Sequence, residues 1–191
     1  MTASVGPKDY FLKDGNLVRE FVFFISSASD VTDQRDLFEA LVRTVDNQFR
    51  SRRDETRPFT LVPDRWEFDA GRRTTDMNEE FVRRVRKAHA VVVLLANQLR
   101  PGTEEEIEAV LHESTVQVSV IWMDKPEDSR KYRKLRKYLN DRANQLAYVK
   151  TGPPGSQESI CAMVDVITAA LAHLTRTEQG EATFSEERNG R

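Results

Sequence analysis

From residue 21 onward the chain repeats one pattern: a short apolar run, a polar break, then a longer segment with apolar residues every three to four positions. Short apolar runs read as strands buried on both faces, and the longer period reads as amphipathic helix. Residues 21–25 form the first strand. Residues 26–29 are a polar break, and Asp30 is suited to cap a helix that buries Leu37, Phe38, Leu41, Val42 and Val45 and runs to about Phe49. Residues 59–67 form a second strand interrupted by Pro63, which cannot donate to a ladder and so belongs at an edge. A polar loop over residues 67–76 leads to a helix over 77–88, with Phe81, Val82 and Val85 inward. Residues 90–96, the most apolar run, make a central strand. After the turn at 97–102, a helix from Thr103 buries Ile107, Val110 and Leu111. A strand over 116–123, a charged helix over 127–142 and a short strand over 146–149 follow. Ser156 caps the last helix, whose apolar side is Ile160, Met163, Val164, Ile167, Ala170, Leu171 and Leu174.

Alternating strands and helices predict an α/β domain with a parallel sheet. The first and third strands are the most apolar and should be central; the second carries a proline and the fifth is short, so both should be edges. The order 2-1-3-4-5 satisfies all four conditions and predicts a flavodoxin-like three-layer sandwich. In such a sheet the ligand crevice lies at the carboxyl ends of the first and third strands, where the winding reverses. Ser26, Ser27, Ser29 and Asp30 would line one side of it and residues 97–106 the other, with Trp66 and Glu67 at the border.

The 191-residue length accommodates one domain. Residues 1–19 are expected to be a partly ordered leader, residues 20–175 the domain, and residues 176–191, rich in Glu, Gln, Gly, Arg and Thr, a flexible tail. A formal net charge of -2 gives no support to a nucleic-acid partner. The basic stretches at 50–57 and 130–142 read as solvated helix faces. No apolar run approaches a membrane span or a signal-peptide core, so a cytoplasmic protein without a membrane partner is expected. Cys161, the single cysteine, excludes an intrachain disulfide and reads as a small core residue.

Several chemistries can be set aside. The break at 26–30 holds no glycine, so it is neither a dinucleotide fingerprint nor a P-loop. A phospho-receiver would need an aspartate ending the third strand, where Ala96 and Asn97 stand. His89, His112 and His173 lack metal-ligand spacing, and no metal site is expected. The segment Gly102-Thr103-Glu104-Glu105-Glu106-Ile107-Glu108 is more informative. Acids in a first turn are ordinary partners of the helix dipole, each contributing about 0.3–1 kcal/mol. This helix, however, opens beside the predicted crevice. Glu106 precedes the core-facing Ile107, which puts it at the helix shoulder with a reach across the opening; Glu104 and Glu105 fall nearer solvent.

Phe23-Phe24-Ile25-Ser26-Ser27 with Asp30 and Arg35 resembles the opening of bacterial TIR-like domains. Trp66-Glu67, the helix running into the strand over 78–90, the Gly102-Thr103 segment with its glutamates, and the charged helix and short strand over 131–149 are similar to the same group. The resemblance covers about residues 20–174. It extends to nucleoside deoxyribosyltransferases, and both families use a glutamate on the helix after the third strand at an N-glycosidic bond. It implies cleavage or processing of the nicotinamide–ribose bond of NAD, as an NAD nucleosidase, in bacterial defence or signalling, with Glu106 as the catalytic carboxylate. NAD would then be the substrate, and no cofactor is expected. Ser26, Ser27, Asp30, Asn97 and Thr103 would contribute to the ligand site. Trp66 suits stacking on a base and closing the strand end equally well. Arg72 and Arg73 suit a solvated loop better than phosphate contacts, and Asp30 with Arg35 suits a structural pair better than catalysis. Relatives carry a longer Gly- and Arg-containing loop where residues 97–101 stand here. Completion of the site by self-association or by a partner sensor protein is therefore expected. The alternatives are a non-catalytic assembly module of the same fold and a nucleoside 2-deoxyribosyltransferase-like enzyme.

Overall fold

The computed structural model describes residues 10–13, 16–27, 29–51, 59–65, 83–99, 101–111, 117–124, 129–144 and 146–189. The strands are β1 (Tyr10–Lys13), β2 (Asn16–Ser27), β3 (Phe59–Arg65), β4 (Ala90–Leu95), β5 (Gln117–Met123) and β6 (Ala147–Thr151). The helices are α1 (Thr32–Ser51), α2 (residues 83–87), α3 (Pro101–Leu111), α4 (Arg130–Asp141) and α5 (Gln157–Asn189). A 3-10 turn, Ser29–Val31, leads into α1.

Five strands pair in parallel in the order β3-β2-β4-β5-β6, which is the 2-1-3-4-5 arrangement of a flavodoxin-like sheet. The six residues of β4 are all buried, as a strand covered on both faces requires. β3 pairs with β2 only, and Pro63 sits opposite Phe23 on this edge strand, where the missing N–H costs no ladder bond. Alternation along the strands divides the core into two layers. Phe21, Phe23, Ile25, Val92, Leu94, Ile121 and Met123 pack with α1 and α5. Phe24, Val91, Val93, Leu95, Val120 and Trp122 pack with α2, α3 and α4. The result is a three-layer sandwich. Among the described residues, no helix is long and apolar enough to cross a membrane.

The structure departs from the sequence expectations at several places. β2 begins at Asn16, and its first four residues pair antiparallel with β1, so a hairpin occupies part of the stretch read as a leader. α5 continues to Asn189 through the stretch read as a frayed tail. Extending a helix whose first half is already packed adds one hydrogen bond per residue fixed, so a polar continuation needs no apolar stripe of its own. The apolar side of α5 is as expected at Met163, Ile167, Ala170 and Leu171, and it differs at its margin. Ser159, Ala162, Met163, Val166, Ile167, Ala170 and Leu171 are buried, whereas Val164 is 39% exposed and Cys161 is exposed. The small Ser159 and Ala162 allow close approach to the sheet, and Cys161 is not a core residue. α3 starts at Pro101, a favoured first position because its missing N–H has no intrahelical partner there. α4 starts at Arg130 and is capped by Ser129, whose side chain accepts from Tyr132 N–H.

Candidate functional site at the carboxyl edge of the sheet

β2 and β4 stay paired up to Ser27 and Leu94 at their carboxyl ends, and from there the chain leaves them toward opposite layers. β2 delivers Ser26, 3% exposed, and the half-buried Ser27 to this point. Arg35, on the first turn of α1, is 4% exposed and its Nη1 donates to Ser27 Oγ at 3.0 Å. This interaction fixes a buried guanidinium directly behind the β2–α1 turn. Asp30, expected to cap α1, instead lies exposed within the 3-10 turn, and its carboxylate reaches across to β4. Its Oδ2 accepts from the backbone N–H of Asn97 at 3.0 Å.

The same peptide group is held from its other side. Trp122, on β5, donates its indole N–H to the carbonyl oxygen of Ala96 at 3.2 Å. The Ala96 carbonyl and the Asn97 N–H belong to one peptide plane, so side chains from two separate elements fix its orientation. Asn97 itself is half-buried. Its side-chain Oδ1 is buried and has no hydrogen-bond partner among the described residues. Thr103, 5% exposed, lies in the first turn of α3 below this point.

The acidic run on α3 divides by helix face. Glu104 accepts from Lys134 Nζ of α4 at 2.7 Å. Glu108 accepts from Tyr138 hydroxyl at 2.8 Å and pairs with Arg142 at 2.6 Å. The Arg142 guanidinium also covers the Tyr138 ring, 4.2 Å from its centroid. Burial, and then the bond to Glu108, push the Tyr138 phenol well above its ordinary value. Glu105 is exposed. Position 106 lies in the second turn of α3, and its side chain is outside the described residues. Trp66, Glu67, Arg72 and Arg73 also lie outside the described residues, as do residues 77–82 of the second predicted helix.

One cluster at this edge escaped the sequence reading. Asp124 directly follows β5 and is 9% exposed. Its Oδ1 accepts from Tyr132 hydroxyl at 2.6 Å, and its Oδ2 pairs with Lys150 Nζ at 2.6 Å. Lys150 also lies over the Trp122 ring, 4.8 Å from its centroid. Burial would raise the Asp124 carboxyl, but hydrogen bonds from Lys150 and Tyr132 outweigh it and hold the carboxyl below its ordinary value. The bond to Asp124, and then burial, raise the Tyr132 phenol. The available signal was an aspartate placed immediately after an apolar parallel strand, the edge where such sheets carry polar function. Among the described residues, no group of three His, Cys, Asp or Glu could hold a metal ion.

No family model and no curated protein matches the chain. Among solved structures it is similar to the flavodoxin-like domain of a Synechococcus sp. protein, at 12% identity and TM-score 0.44, over 81% of this chain and 99% of that one. It is also similar to rubredoxin oxygen:oxidoreductase from the anaerobe Desulfovibrio gigas, at 13% identity and TM-score 0.37. That match covers 80% of this chain and spans 37% of the other protein. The architecture therefore rests on the strand pairing observed in this chain, with five parallel strands wound in both directions from β2 and β4.

Proposed function

We propose that this chain is a TIR-like domain that cleaves or processes the N-glycosidic bond of NAD, or of a related nucleotide, in bacterial defence or signalling. Glu106 is the catalytic carboxylate in this reading. The supporting observation is the division of labour on α3. Glu104 and Glu108 are engaged by Lys134, Tyr138 and Arg142, so the flank at 104 and 108 is the one turned to α4. Thr103, Ile107 and Val110 are buried and mark the core stripe. With about 100° per residue, position 106 falls on the other side of that stripe, away from α4. In this reading that flank faces β2 and the point where the winding reverses.

Cleavage at an N-glycosidic carbon develops positive charge on the sugar, and a carboxylate beside it stabilises that charge or forms a covalent intermediate. The nicotinamide of NAD leaves from a cationic ring, so no strong general acid is required. In the same reading Ser26, Ser27, Asp30, Asn97 and Thr103 surround the ligand and Trp66 borders it. Nicotinamide release from NAD by concentrated protein tests the proposal. Wild type is expected to release nicotinamide and Glu106→Gln to lose at least 100-fold in rate. Equal rates in the two proteins reject the assignment of Glu106.

A second reading is a non-catalytic module that associates with itself. It is favoured by Val149 on the edge strand β6 and Val164 on α5, large apolar side chains that are 47% and 39% exposed. Self-association by sedimentation, together with no NAD affinity at millimolar concentration, would select it.

A further inference from the structure

We infer that the side-chain carbonyl of Asn97 is a preorganised acceptor for one neutral hydrogen-bond donor of the ligand, a carboxamide N–H or a sugar hydroxyl. The inference deepens the proposed function and rests on it for the identity of the ligand. It begins with an imbalance in hydrogen bonding. Asp30 takes the N–H of the Ala96–Asn97 peptide and Trp122 supplies a donor to its carbonyl, so this peptide leaves the strand with both polar groups satisfied by side chains. Those two bonds come from the turn after β2 and from β5, on either side of β4, and prevent the peptide from rotating. The Asn97 side chain is carried on that fixed frame. Its Oδ1 is removed from solvent, yet no described residue donates to it.

Buried acceptors in folded proteins are nearly always paired, because a carbonyl stripped of water and given nothing in return destabilises the fold. The local arrangement makes the omission harder to attribute to packing. Two side chains are already committed to the peptide that joins Ala96 to this residue, while the residue's own amide carbonyl has no donor. The position supplies the rest of the argument: Asn97 is the second residue after the most buried strand, at the point where the winding reverses. An acceptor that is dry before the ligand arrives discriminates strongly, since a ligand lacking the donor leaves it unpaired in the complex as well. A carboxylate in the ligand would meet Asn97 Oδ1 and nearby Asp30 with unfavourable charge, so an anionic group is excluded, and the donors that NAD offers are its carboxamide N–H and sugar hydroxyls.

Two measurements on the full chain test the inference. The first is thermal unfolding without ligand. Asn97→Leu replaces the amide by an apolar group of similar shape and is expected to raise the melting temperature by several degrees. A lower melting temperature in Asn97→Leu would show that the carbonyl is satisfied within the protein and would overturn the inference. The second is equilibrium binding of NAD, of its nicotinic acid counterpart and of a counterpart lacking one ribose hydroxyl. Wild type is expected to bind one of the two analogues at least 10-fold more weakly than NAD, which identifies the donor. Asn97→Leu is expected to bind NAD and that analogue equally. Retention of the full discrimination in Asn97→Leu would overturn the inference. Asn97→Ala, which removes the carbonyl without filling its space, gives the binding result independently of how leucine packs. If wild type binds no NAD, the proposed function fails, and the ligand-free melting temperature alone decides on the acceptor.

Discussion

Replacing Asp124 by alanine tests whether the carboxyl edge of β5 is held by the network described above. The carboxylate accepts from the hydroxyl of Tyr132, which is 8% exposed, and from Lys150, whose side chain is 54% exposed. Removing it leaves the buried phenol without an acceptor, a loss of about 1–3 kcal/mol. The exposed ammonium returns to water, and its pair contributes only about 0–1 kcal/mol. The expected total is about 2–3 kcal/mol, which for a chain of 191 residues lowers the melting temperature by about 4–12 °C. Urea unfolding followed by circular dichroism measures it. Tyr132→Phe removes the donor instead, and the double variant leaves neither group unpaired. The double variant should therefore be more stable than the sum of the single losses predicts, by about 1–2 kcal/mol. The sign with pH follows from the lowered carboxyl. A carboxylate favoured in the folded state stabilises above its unfolded value of 3.8, and this contribution disappears as pH falls through the lower folded value. The stability gap between wild type and Asp124→Ala should be constant near neutrality and narrow in acid. A coupling between Asp124 and Tyr132 below about 0.5 kcal/mol, or a gap that widens in acid, would refute the reasoning.

Other consequences are open to the same measurements. Val22 N–H donates to His89 Nδ1 at 3.1 Å while His89 N–H donates to Val22 O at 2.8 Å; His89→Ala should cost about 1–3 kcal/mol, and His89→Asn, which can keep an acceptor near Nδ1, should cost less. Asp46, 5% exposed, accepts from Leu61 N–H at 2.9 Å and from Thr60 hydroxyl at 3.3 Å. Asp46→Ala should therefore destabilise the β3 edge by about 2 kcal/mol, seen as faster amide exchange at Leu61. Trp122→Phe keeps an aromatic ring but removes the donor to Ala96; a stability loss of about 1 kcal/mol with weaker ligand binding is expected. The raised Tyr138 phenol predicts an alkaline limb. Below the ordinary value of 10.0 both states keep the proton. Above it the unfolded state ionises first, so stability falls as pH rises, and Tyr138→Phe should lose part of that slope.

Strand order was readable because it follows from composition alone. A run as apolar as residues 90–95 has to be covered on both faces, and a proline at residue 63 has to lie at an edge. The elements misjudged were those whose stability comes from neighbours. The hairpin of β1 and β2 was missed because its paired segments are only four residues long and lie beside the longer apolar run that follows. In α5, counting apolar residues found Met163, Ile167, Ala170 and Leu171 but also took Val164, whereas the packed face takes in the small Ser159 and Ala162, because the contact rewards small size as well as hydrophobicity. Long-range polar ties were least legible. Asp30 looks like a helix cap in sequence, and nothing local to it indicates a partner 67 positions away.

The distribution of hydrogen-bonding capacity along the carboxyl edge separates two halves with different physical character. At the β5–β6 half, both oxygens of Asp124 are occupied by Tyr132 and Lys150, and its backbone N–H donates to Thr151 O at 3.2 Å. A ligand approaching there would have to break charge-assisted bonds before forming its own. At the β2–β4 half, the described side chains fix the backbone but leave the Asn97 carbonyl unused. A ligand donor that reaches Asn97 Oδ1 breaks no existing bond to that atom and satisfies a group that the fold leaves unpaired. The energetic preference for the second half depends only on which atoms already have partners, so it stands independently of the family resemblance. It also links the two halves: Trp122 is packed under Lys150 on one side and holds the Ala96 carbonyl on the other. The saturated half thereby serves as the rigid support for the open one, and loosening Asp124 should weaken ligand binding at Asn97 without touching the ligand.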